Sequence, residues 1–156
     1  MSKARDPRQL VLVAMAGSAA LLGGALVFQY FGGLAPCKMC IWQRWPHALA
    51  IVLGVAALFI PAVWLMWIGA LAMAVTAGIG LYHTGVERGW FEGPTSCTSG
   101  DISNLSSEEL MQQILSAPLV RCDEVAWSLA GLSMASWNMI LSLVLMAIWF
   151  AAARAK

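Results

Sequence analysis

The chain has 156 residues, of which 60% are hydrophobic and 11% charged, and its nine basic and eight acidic side chains leave a formal net charge of +1. A soluble domain carries roughly 25% charged residues, so this composition excludes an ordinary water-soluble globule. It also excludes a nucleic-acid binder, because the only basic clustering is at the two termini, where membrane topology accounts for it.

Crossing the hydrocarbon core takes about 20 apolar residues as helix, and three charge-free runs, Gln9 to Cys37, Trp45 to Val86 and Val125 to Ala153, reach that length. The first predicts a span at about 10–31. Lys3, Arg5 and Arg8 precede it, as they would in a secretory signal, but Leu10 to Phe31 is longer than a signal core. A short segment at about 32–41 follows, then a second span at about 42–60. Pro61 divides the long middle run, because a helix does not readily continue through proline, and a third span at about 63–83 begins beyond it. The segment at about 84–133 holds seven of the eight acids, and a fourth span closes the chain at about 134–153. The runs lack the alternation of a barrel strand, and lipid offers an open backbone no hydrogen-bond partners, so the spans are helices.

The basic residues before the first span, with Arg154 and Lys156 after the last, place both termini in the cytoplasm and the segments at 32–41 and 84–133 outside. Trp42, Trp45, Trp64, Trp67, Trp90, Trp127 and Trp137 suit interfacial belts. Gly17, Gly23, Gly24, Gly54, Gly69, Gly78 and Gly80 are expected to allow close helix packing. In the long outer segment Ser106-Ser107-Glu108-Glu109 forms a capping box ahead of Leu110, Met111, Ile114 and Leu115. It predicts a short amphipathic helix, stopped near Pro118, lying on the membrane surface.

All four cysteines fall in the two outer segments: Cys37 and Cys40 as a C-x-x-C, Cys97 and Cys122 in the longer one. Confinement to an oxidising face argues for disulfides. Four cysteines allow three pairings, and the sequence leaves the choice open. A bridge between Cys97 and Cys122 admits a purely structural reading. The C-x-x-C closes too short a loop to stabilise much, which points to redox work instead. Its position at a helix N-terminus favours a thiolate. Arg44 follows Cys40 by one helical turn, so the guanidinium shares its face, either to lower the thiol pKa or to hold an anionic electron acceptor. Cys97 lies in Gly93-Pro94-Thr95-Ser96-Cys97-Thr98-Ser99-Gly100, a small, polar, turn-rich stretch that predicts an exposed, mobile cysteine open to attack by another protein's thiolate.

Pro36-Cys37-Lys38-Met39-Cys40-Ile41-Trp42-Gln43-Arg44, Tyr82-His83-Thr84, Gly93-Pro94-Thr95-Ser96-Cys97, and Cys122 followed by Leu129-Ala130-Gly131-Leu132-Ser133-Met134-Ala135-Ser136-Trp137-Asn138 resemble the disulfide bond formation protein B (DsbB) family of bacterial inner membranes. The likeness covers essentially the whole chain. It implies an all-α membrane protein, a bundle of four transmembrane helices with the amphipathic surface helix in its second periplasmic loop, as one membrane domain over 1–156. It implies a protein-disulfide:quinone oxidoreductase that reoxidises a periplasmic, DsbA-like thioredoxin-fold partner and passes the electrons to ubiquinone or menaquinone in the membrane pool. Carried over by position, Cys97 forms the mixed disulfide, Cys122 attacks Cys37, and Cys40 is released as the thiolate facing the quinone, with Arg44 and His83 lining its pocket. Gln43 stands where some members have an acid, and Lys38 lies between the cysteines.

Two readings from other classes compete. His47 and His83 on adjacent helices predict haem ligation in a b-type cytochrome, which leaves the cysteines without a role. A membrane scaffold with structural disulfides needs no enzyme chemistry. Covalent haem requires histidine where Ile41 stands, and the cysteine spacing fails the zinc ribbon pattern, so no metal is expected.

Overall fold

The computed structural model describes residues 6–60, 62–94, 97, 106–116 and 120–155. Pro61, Pro118, Thr95, Ser96, Thr98–Gly100 and the basic residues Lys3, Arg5 and Lys156 lie outside the described residues.

The chain runs through α1 (Pro7–Tyr30), α2 (Lys38–Phe59), α3 (Val63–Glu87), α4 (Ser107–Ser116), a two-stranded hairpin of β1 (Ser128–Leu129) and β2 (Leu132–Ser133), and α5 (Met134–Arg154). Three helices, α1, α3 and α5, are long and apolar enough to cross a membrane. α2 matches them in length, but Gln43, Arg44, Pro46 and His47 interrupt its apolar run. The four long helices pack in a ring: α1 lies against α2 and α5, and α3 against the same two.

The starts of α1, α2 and α5 each have a local cause. The Asp6 side chain accepts from the Arg8 backbone N–H ahead of Pro7, which suits the first helical position. α2 opens four residues before the expected span because the Cys37 sulfur caps it, accepting from the Cys40 N–H at 3.2 Å. α5 opens at Met134, as expected, with the Ser133 hydroxyl accepting from the Ser136 N–H at 3.2 Å. The hairpin was not foreseen. Its turn places Ala130 and Gly131 at φ 53° and 77°, and two successive left-handed residues match the twist that joins short antiparallel strands.

The apolar core of the bundle includes Val11, Ala14, Ala50, Met66, Met73 and Trp149. Gly69 permits this packing, since a Cβ there would meet the Trp149 ring at 2.6 Å. Not every glycine serves that purpose: Gly23, Gly24 and Gly78 face open space, because the helical faces that carry them have no neighbour close enough to need a missing side chain. The outer faces expose Val13, Val52, Leu71 and Val144, a surface suited to lipid rather than water.

Candidate functional site

One end of the bundle gathers the chemistry. Cys37 and Cys40 flank the first turn of α2, unbonded, with their sulfurs 2.7 Å apart. Cys97 and Cys122 are joined by a disulfide across Cα atoms 5.4 Å apart, and the Cys122 N–H donates to the Cys97 carbonyl at 2.9 Å. Both pairs belong to one buried cluster with Met39 and Val86. Within it the Cys37 and Cys122 sulfurs and a ring nitrogen of His83 all lie within 4.8 Å of one another. The turn-rich sequence around Cys97 predicted exposure, but Cys97 has no exposed surface. Its bond to Cys122 draws it onto the apolar cluster, and burial follows from the crosslink, not from the composition of the flanking residues.

The Cys37 thiol, which stands ahead of the membrane span expected at 42–60, is pushed far above the usual thiol range by its hydrogen bond to Cys40 and then by burial. Cys40, also ahead of that span, is held below the usual range, first by the hydrogen bond from Cys37, with a backbone hydrogen bond and the Arg44 charge adding to it against the cost of burial. The asymmetry favours Cys40 over Cys37 as the thiolate of the pair.

Arg44 does share the Cys40 side of α2, and it reaches across to α1, where Nη1 donates to Gln29 Oε1 and Nη2 to the Ala25 carbonyl at 3.5 Å. Its Nε is buried without a hydrogen-bond partner among the described residues. The same side of α2 opens on a cavity of about 240 Å³ whose walls include Cys40, Arg44 and His47 beside apolar groups such as Leu21, Phe28 and Trp127.

Behind the cavity runs a buried hydrogen-bond chain whose directions are set by two backbone carbonyls. Gln43 Nε2 donates to the Met39 carbonyl at 3.2 Å, so the same nitrogen donates to His83 Nδ1 at 3.0 Å, and Gln43 Oε1 accepts from Asn138 Nδ2 at 2.7 Å. Thr76 Oγ1 donates to the Gln43 carbonyl at 3.0 Å and therefore accepts from Asn138 Nδ2 at 3.1 Å. Asn138 Oδ1 then faces His47 Nε2 at 2.9 Å and requires a proton on it. Both tautomers follow. His83 carries its proton on Nε2, 3.6 Å from the Cys37 sulfur and 3.9 Å from Glu87 Oε1, and His47 carries its proton on Nε2, leaving Nδ1 bare.

This arrangement does not suit paired haem ligation, because His83 has one nitrogen accepting from Gln43 and the other protonated toward Cys37. A protonated Nε2 is likewise the wrong form for a metal ligand beside Cys37 and Cys122. Thr76, Glu87 and Asn138 were not anticipated as site residues. Asn138 had a signal: a polar amide inside an apolar span calls for a partner.

The family model for the disulfide bond formation protein DsbB matches residues 7–152. The chain is 32% identical to the disulfide bond formation protein B of Azoarcus sp. (strain BH72), with 93% of this chain and 92% of that protein covered. It is 32% identical to the protein of that name from Verminephrobacter eiseniae, covering 87% of this chain and 80% of that one. For Methylococcus capsulatus the identity is 35%, over 78% and 79% of the two chains. No solved structure matches the chain.

Proposed function

The chain belongs to the DsbB family of disulfide bond formation proteins, and on that premise we propose that it is a four-span inner-membrane enzyme that reoxidises a periplasmic, DsbA-like dithiol protein and delivers the electrons to membrane quinone, ubiquinone or menaquinone. In this reading α2 supplies the fourth span over about 42–60, residues 1–156 form one membrane domain, both termini are cytoplasmic, and α4 rests on the periplasmic membrane surface.

The observation that carries the reading is the approach of the two cysteine pairs, with the Cys122 and Cys37 sulfurs within 4.8 Å. The partner's thiolate attacks Cys97, forming a mixed disulfide and releasing Cys122 as thiolate. With the other pair closed as a disulfide, Cys122 attacks Cys37, the Cys37–Cys40 bond breaks, and Cys40 leaves as thiolate. The partner's second thiolate then attacks the mixed disulfide at its own sulfur and departs oxidised, freeing Cys97. Cys97 next attacks Cys122 to restore their bond, which frees Cys37. Each exchange breaks one S–S bond as it forms another, so the relay moves two electrons without consuming a reagent. His83 offers its Nε2–H to the sulfur on Cys37 as charge passes through. Because Cys97 is buried, it must become accessible before a partner can reach it.

The cavity beside Cys40 fits a quinone: its walls are largely apolar, and the buried Nε of Arg44 lacks a partner that a ring oxygen would supply. A quinone bound there supplies the sink for the two electrons and two protons that a dithiol gives up on forming a disulfide. Arg44 holds it and offsets negative charge next to the Cys40 thiolate, and the apolar walls exclude water.

The test is reduction of a short-chain ubiquinone analogue by the purified protein supplied with a reduced thioredoxin-like partner. Turnover that disappears in Cys40→Ser and in Cys97→Ser is expected. Unchanged rates in either variant would refute the relay, and absence of turnover in the parent protein would favour the scaffold reading.

A further inference from the structure

Cys40, Arg44 and His47 recur at spacings of four and three residues and so lie along one side of α2. At about 1.5 Å of rise per residue, His47 sits roughly 4.5 Å deeper along the helix than Arg44. All three line the cavity, as does Asn138. His47 is only 3% exposed, and its Nε2 is committed to Asn138, with Ser142 Oγ a further 3.4 Å neighbour. Its Nδ1 is buried and has no hydrogen-bond partner among the described residues. A buried acceptor left in this state loses the hydrogen bond it would make to water without gaining another. Because the Met39 and Gln43 carbonyls orient the whole chain, Nδ1 is an acceptor and not a donor.

That polarity selects its ligand. The oxygens of an oxidised quinone only accept hydrogen bonds and gain nothing from a bare ring nitrogen. A hydroquinone carries O–H donors. The Arg44 guanidinium only donates, and the oxygens of either form can accept from it. We propose that His47 Nδ1 accepts a hydrogen bond from a hydroxyl of the reduced acceptor at the deep end of this cavity, so that the site binds hydroquinone more tightly than quinone. His47 is then a specificity residue for the redox state of the acceptor, and it draws electrons from Cys40 by holding the product. For a two-electron couple each tenfold preference for the reduced form raises the potential of the bound acceptor by about 30 mV. The inference rests on the quinone reading above.

The test measures equilibrium binding of a short-chain ubiquinone analogue and of its hydroquinone, under anaerobic conditions, to purified protein in a Cys40→Ser background where no electrons pass to the ligand. The expected result is a preference of about tenfold for hydroquinone, lost in His47→Leu through weaker hydroquinone binding while quinone affinity changes less than twofold. His47→Gln, which keeps both a donor for Asn138 and an acceptor, should retain part of the preference and carries the test should the leucine variant fail to fold. A parent that binds quinone as tightly as hydroquinone, or a preference left undiminished in His47→Leu or, should that variant fail to fold, in His47→Gln, would overturn this inference alone. Failure of the parent to bind either form would overturn the quinone reading, and this inference with it.

Discussion

His83 turns a protonated Nε2 toward the Cys37 sulfur at 3.6 Å while its Nδ1 accepts from Gln43 at 3.0 Å. The second contact determines the first: the Gln43 amide is oriented by the Met39 carbonyl, and only one imidazole tautomer satisfies it. The ring therefore presents a donor to the Cys37 sulfur, shared with the Cys122 backbone, at the point where the proposed relay joins the cysteine pairs. A hydrogen bond to a charged group contributes about 1.5–3 kcal/mol, so His83→Ala is expected to slow exchange between the pairs by roughly ten- to a hundredfold. His83→Gln, which still offers an N–H, should recover part of the rate. Stopped-flow measurement with a reduced thioredoxin-like partner reads both, and an alanine variant at the parent rate would remove His83 from the exchange.

The Cys40 thiol offers a pH test. Its pKa lies below the usual thiol range, chiefly through the Cys37 hydrogen bond and with help from the Arg44 charge. Thiolate is the nucleophile, so alkylation of Cys40 by iodoacetamide should reach half its maximal rate at a lower pH than an unperturbed thiol. Both Cys37→Ala and Arg44→Leu remove an influence that favours the thiolate, so each moves that midpoint upward, the former further. A midpoint that falls in Arg44→Leu would contradict this account.

Asn138 joins α5 to α2 and α3 through His47, Gln43 and Thr76. Replacing it with leucine strands a donor on His47 and an acceptor on Gln43, at about 1–3 kcal/mol for each buried group. The expected outcome is a lower thermal unfolding midpoint in detergent, together with looser positioning of His83. An unshifted midpoint would mean that the chain of hydrogen bonds contributes nothing net.

Two glycines in α3 should respond in opposite ways. Gly69→Ala drives a methyl into the Trp149 ring and is expected to destabilise by about 1–3 kcal/mol. Gly78→Ala meets nothing within 4 Å and gains helix propensity, up to about 1 kcal/mol. Comparing their unfolding midpoints checks the packing of α3 on α5 directly.

Much of this protein is legible from its residues in order. Scarcity of charge marks the apolar helices, because lipid leaves the backbone no alternative. The C-x-x-C ahead of an apolar run marks a cysteine pair at a helix start, and a periodicity of four places Arg44 beside Cys40. These are local relations, spanning a turn or two of helix, and they survive without knowledge of how the helices meet. The exposure of Cys97 was not legible, because burial there comes from a bond to a residue 25 positions away. The hairpin ahead of α5 was missed because strands of two residues carry no pattern, although Ala130-Gly131 marks the turn.

The sequence by itself determined the class of fold, the place of a C-x-x-C at a helix start and the side of α2 that Cys40 and Arg44 share. Only the tertiary structure decided which cysteines meet, which tautomer each histidine adopts and which of its nitrogens is left free. Those outcomes depend on residues 33 to 95 positions apart sharing hydrogen bonds inside the bundle, and a network of that kind is oriented by its backbone anchors only once the helices have closed around it.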